Sequence, residues 1–127
     1  MSTDDRLRTH PKERLAAPMQ RIALAEAAAQ LRAEPHAPVA GHRQVALVRR
    51  GPVGLILFVF EKDGHLKEHR TEGEVTIHVL SGRLSVTVGD EEMQLGPGEL
   101  VSLAPGQAHS VRALEVSEML LSVCQTP

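Results

Sequence analysis

The chain has 127 residues, 42% of them hydrophobic and 24% charged, enough for one buried core and too few for a second independently folding domain. Its net charge is −2 with histidine neutral, which excludes a general basic field for nucleic acid or acidic lipid; the longest apolar run, Leu55 to Phe60, cannot span a bilayer. Tyr and Trp are absent and Cys124 is the only cysteine, so no phenol serves as acid or base, no indole stacks a base or sugar, and no intrachain disulfide forms.

The start, Met-Ser-Thr-Asp-Asp-Arg, lacks the basic-then-apolar order of a secretory leader, and a cytoplasmic protein is expected. Residues before Leu15 are charged and are expected to be disordered. From Gln20 to Ala33 the chain is rich in Ala, Leu, Arg, Glu and Gln, the strong helix formers, with Leu24, Ala28 and Leu31 on one stripe. Glu34-Pro35 stops that helix, because the residue before proline is pushed out of the α region. Residues 1–38 therefore read as an N-terminal arm carrying an Ala-rich helix at about 20–33, and 39–127 as a second unit of different character.

That second unit is a series of short apolar runs separated by turn signals. Gln44 to Arg49 alternates, with Val45 and Leu47 on one side, and Gly51-Pro52 closes it. Val53 to Phe60 is apolar almost throughout, as a strand covered on both faces would be, and Asp63-Gly64 turns the chain after it. Val75, Ile77 and Val79 alternate before Ser81-Gly82, and Leu84, Val86 and Val88 before Gly89-Asp90. Met93 and Leu95 precede Gly96-Pro97-Gly98, Val101 and Leu103 precede Pro105-Gly106, and two last runs lie between Val111 and Val123. Eight or nine strands at hairpin spacing predict an all-β sandwich or barrel.

Two stretches resemble the cupin family. Gly96 to His109 is similar to the second cupin motif, with Gly98, Pro105, Gly106 and His109 in the expected places, and His69 to Gly82, ending Val79-Leu80-Ser81-Gly82, resembles the first. The resemblance covers about Arg43 to Val123 and implies an all-β cupin-type double-stranded β-helix, a jelly-roll barrel of the RmlC-like kind, preceded by the N-terminal helix. It also implies a pocket at the mouth of the barrel, lined by His69, His109, Thr71 and Val75, and a homodimer formed through N-terminal strands such as Gln44 to Arg50.

Metal-binding cupins carry two histidines separated by one residue, a glutamate further on, and the histidine of the second motif. The matching positions here are His69, Thr71, Val75 and His109, so two of the four are metal-ligand types. A divalent nickel, zinc, iron or manganese ion on His69 and His109 would need a third donor, for which His65, His78, Glu74, Glu72 and His42 are candidates. Strand parity turns Glu74 and His78 away from a core that takes Val75, Ile77 and Val79, while His65, Lys67 and His69 would share a face of an extended strand. His65 to His69 also matches His-x-x-Glu-His, a metalloprotease signature that requires a helix; among strand patterns it reads as coincidence. Arg43, Arg49, Arg50 and Arg70 could hold a carboxylate or phosphate, with surface solvation the plainer role.

Two functions follow from these residues. One is a metal-dependent enzyme of dioxygenase, isomerase or decarboxylase type acting on a small molecule. The other is a non-catalytic binding or sensory module without metal, in which the two histidines orient a small-molecule ligand within an apolar pocket.

Overall fold

In the computed structural model, residues 15–125 are described; the charged segment expected to be disordered lies outside them. Among the elements of these residues, helix α1 (Leu24–Arg32) precedes nine strands: β1 (His42–Arg50), β2 (Val53–Phe60), β3 (His65–His69), β4 (Glu74–Ser81), β5 (Leu84–Val88), β6 (Glu91–Leu95), β7 (Leu100–Leu103), β8 (His109–Ala113) and β9 (Ser117–Cys124). They form two antiparallel sheets, ordered β1-β2-β9-β4-β7 and β3-β8-β5-β6. Only β1-β2 and β5-β6 are joined within a sheet; every other connection crosses between sheets, which makes a jelly roll. The expected all-β architecture with an N-terminal helix is thus the one observed.

The main core lies between the sheets. It takes Phe58 and Phe60 from β2, Val75, Ile77 and Val79 from β4, Leu84 and Val86 from β5, Val111 and Ala113 from β8, and Met119 and Leu121 from β9. These are alternate residues of each strand, as the twofold period of an extended chain requires. β2 is apolar throughout because its other face is also covered. Leu57 and Val59 point outward, where Ala28 and Leu31 of α1 bury them with Val45, Leu47 and Leu80 packed alongside. The continuous apolar run thus finds its second cover within its own chain.

Bulges alter the parity of β1 and β3, and a further register shift falls between Val79 and Ser81 at the end of β4. In β1, Ala46 pairs with Ile56 but Val48 with Leu55, so Leu47 is an extra residue and side chains beyond it exchange faces. In β3, Leu66 pairs with Val111 but His69 with His109, three residues against two, which puts Leu66 and His69 on one face and His65 on the other. The regular extended strand expected to align His65 with His69 does not form. The helix needed for the metalloprotease signature is likewise replaced by a strand.

The turns that close the two sequence motifs have steric reasons. Gly82 has φ of 83°, and a Cβ there would overlap Ser117, a fully buried residue whose hydroxyl accepts from the Arg83 N–H at 3.0 Å. Gly106, at φ 83°, donates its N–H to the Thr71 carbonyl at 2.9 Å. That bond ties the turn before β8 to the end of β3 and so brings the two motifs together.

Leu31→Ala is expected to lower stability by about 2–5 kcal/mol in urea denaturation, since it empties the pocket between α1 and β2. The exposed Gln30→Ala should stay within about 0.5 kcal/mol of wild type.

Candidate functional site

A cavity of about 660 Å³ opens between the sheets at one end of the sandwich. Its interior is apolar, with Ile56, Phe58, Leu66, Ile77, Val111, Met119 and Leu121 on the wall. Its polar lining comes from Gln44 and Arg49 of β1, Lys67, Glu68 and His69 of β3, Thr71, His109 of β8, and Gln125.

His69 and His109 sit opposite each other across the β3–β8 ladder, with ring centroids 4.3 Å apart and ring planes inclined at 59°. Each ring is held by its own strand. His69 Nδ1 donates to the Lys67 carbonyl at 2.9 Å and His109 Nδ1 to the Gln107 carbonyl at 3.0 Å. A carbonyl oxygen only accepts, so in the neutral ring the proton lies on Nδ1 and Nε2 carries the lone pair. Two imidazoles with available Nε2 atoms therefore share one cavity wall.

The surroundings of the two rings differ. His109 is 2% exposed, whereas His69 is exposed at the strand end. Burial pushes the His109 imidazole below its ordinary pKa; the hydrogen bond to Gln107 opposes the shift and neighbouring His69 adds to it. His109 is thus a neutral acceptor at pH 7.

Thr71 lines the cavity beside this pair, its hydroxyl donating to the Gly73 carbonyl at 3.1 Å. Val75 does not line it, being packed in the core at 2% exposure. Glu74 and His78 lie on the outer face of β4, as alternation with buried Val75, Ile77 and Val79 demands. His65 is turned outward by the β3 bulge, and its Nδ1 lies 3.4 Å from the Asp63 carbonyl. His42 packs its ring 5.8 Å from those of Phe58 and Phe60, away from the cavity wall, and Glu72 is exposed and also off the wall.

Among the described residues no group of three or more His, Cys, Asp or Glu side chains is placed to hold a metal ion. The imidazole pair has the donor atoms and tautomers a divalent ion needs, but two donors do not complete a site built from this chain. Residues not foreseen at the wall include Gln44 and Glu68. Arg49 is one of the four arginines whose sequence reading allows a carboxylate or phosphate contact, and it is placed on the cavity wall.

Two antiparallel sheets closed around an apolar cavity, with a few polar groups at its mouth, define a small jelly-roll protein. The chain belongs to the cupin family: the model of the cupin domain matches residues 56–124, more than half of its length. No curated protein matches it. Among solved structures it is similar to a conserved protein of unknown function from Streptococcus pyogenes, with TM-score 0.71 and 20% identity over 89% of this chain and 96% of that one. It is also similar to a cupin superfamily protein from Desulfitobacterium hafniense, with TM-score 0.70 and 17% identity over 89% and 96% of the two chains. KdgF from Halomonas sp. aligns with TM-score 0.66 and 17% identity over 72% and 87%. These likenesses establish the shared fold. No helix among the described residues is long and apolar enough to cross a membrane.

The lowered pKa of His109 has a signed consequence for stability. Below about pH 6.5 the unfolded chain protonates this residue before the folded chain does, so stability falls as pH drops towards the lower folded value and is unaffected by this group above the window. His109→Gln is expected to flatten that acid-side fall by at most about 1.4 kcal/mol per pH unit, measured by urea denaturation between pH 7 and pH 5. Identical slopes for variant and wild type would contradict it.

Proposed function

We propose that this cupin binds a small molecule in the cavity between its sheets, with the Nε2 atoms of His69 and His109 accepting hydrogen bonds or a proton from the ligand's polar group. The observation that carries this reading is the pair of rings on one cavity wall, each with Nδ1 tied to a backbone carbonyl. Anchoring one nitrogen fixes the orientation of the other, so the acceptors are preorganised at little entropic cost on binding. Apolar surface behind them would supply most of the affinity, and the histidines the orientation.

A second reading, a metal-dependent enzyme, has one observation in its favour. Metal-ligating histidines are characteristically held by a hydrogen bond from the other ring nitrogen, as both rings are here. A nickel, zinc, iron or manganese ion on this pair would take its remaining donors from the substrate or solvent. Elemental analysis of untagged protein purified without chelator separates the readings. The metal-free reading expects well under one metal per chain, unchanged in His69→Ala and His109→Ala. Near-stoichiometric metal that disappears in either variant would replace it with the second.

We also propose a homodimer formed through β1, supported by its place at the edge of the five-stranded sheet, with no further strand beside it among the described residues. The cover that α1 provides for Leu57 and Val59 leaves this edge, rather than an apolar face, as the reason to associate. Light scattering at micromolar concentration should give twice the 13.8 kDa chain mass. A monomer mass would refute the assembly.

A further inference from the structure

Arg49 and Arg50 are adjacent, yet the fold uses them differently. Arg50 is tied to the segment before α1, donating to the Ala17 carbonyl at 3.0 Å and to Gln20 Oε1 at 3.1 Å. The Arg49 side chain makes no hydrogen bond or ion pair among the described residues and lines the cavity. The bulge at Leu47 puts it there. Before the bulge, the β1 side chains facing the core side are His42 and Gln44, opposite Phe60 and Phe58; after it, Arg49 takes that side, opposite Gly54, which has no side chain to occupy the space.

The charge on the wall has a clear sign. Arg49 and Lys67 stand against the single carboxylate of Glu68, and none of the three is in an ion pair among the described residues. In a chain of net charge −2, the cavity lining therefore carries an excess cation when its histidines are neutral. Behind this rim lie Ile56, Phe58, Ile77, Met119 and Leu121.

We infer that the cavity takes a small organic acid with an apolar body, its carboxylate anchored by the Arg49 guanidinium at the mouth while the body lies against the apolar wall; the donor that meets Nε2 of His69 and His109 is then a separate group of the ligand, since a carboxylate only accepts. This rests on the small-molecule reading above and names the class of ligand. Arg49 supplies a planar, permanently charged fork that fits a carboxylate with two parallel N–H donors. Lys67 adds a second cation on the β3 side. Glu68 acts against a second acidic group at that side, so the site favours a monoacid.

The experiment is an NMR titration with three probes that share one apolar body: octanoate, octan-1-ol and octylamine. Octanoate is expected to shift the His69 and His109 imidazole signals and the Ile56 and Ile77 methyl signals, and to bind about tenfold more tightly than octanol or octylamine, about 1.4 kcal/mol. The preference should shrink with added salt, because the rim is open to solvent. Arg49→Gln should remove most of the preference for octanoate over octanol, and Arg49→Lys should retain part of it. Equal affinities for octanoate and octanol in wild type, tighter binding of octylamine, or an Arg49→Gln variant with the preference intact would each overturn the acid inference and leave the cavity-binding reading standing. If none of the three probes moves the cavity signals, both fall together.

Discussion

A residue on a β-strand has two faces available to it, and which one it takes is set by counting from its neighbours. In this protein nearly every residue of interest owes its place to that count, or to an interruption of it. Strict alternation puts Val75, Ile77 and Val79 into the core and leaves Glu74 and His78 outside, so neither can join the imidazole pair without remaking β4. Two single-residue bulges then change the outcome for β1 and β3. The one at Leu47 brings Arg49 onto the cavity wall, and the three-for-two step in β3 places His69 beside Leu66 and opposite His109. Bulges of this kind re-aim side chains at the rims of sheets, where binding sites are built.

The imidazole pair depends on that placement and on local backbone bonds. Each Nδ1–H is taken up by the carbonyl two residues earlier, so ring orientation is fixed within a short stretch of strand. The Gly106–Thr71 bond then holds the two strand ends at a constant separation. Burial keeps His109 neutral, and a neutral ring with an anchored Nδ1 is an acceptor at Nε2. The site is thus chemically defined as two acceptors facing an apolar space, with cations at its rim. Membership of the cupin family accounts for the scaffold, but the same scaffold carries many activities, and the local donor set distinguishes them.

The outer face of the larger sheet shows how a continuous apolar strand can be satisfied within one chain. Phe58 and Phe60 fill the space between the sheets while Leu57 and Val59 lie under Ala28 and Leu31. An alanine-rich helix suits this role because small side chains let its backbone approach the sheet closely. Arg32 of the same helix meets Glu118 of β9, a charged contact at the margin of that apolar patch. Edge strand β1 is steadied on its outer face by the same docking, and Gln20 donates to its Leu47 carbonyl at 3.1 Å.

Composition and periodicity alone determined the fold class, the strand positions and the two-faced character of β2, because these depend on local alternation and on turn residues such as Gly82 and Gly106. The pairing of His69 with His109 was readable from the motifs that contain them. Tertiary structure decided which of the remaining polar residues share their cavity. Thr71 does; Val75, His65, His78 and Glu74 do not, and Arg49, Lys67, Gln44 and Glu68 join it. The physical reason is that a bulge is defined by the partner strand: Leu47 and the Lys67–Glu68 step are irregular only relative to the registers of β2 and β8, and no property of the residues themselves marks them.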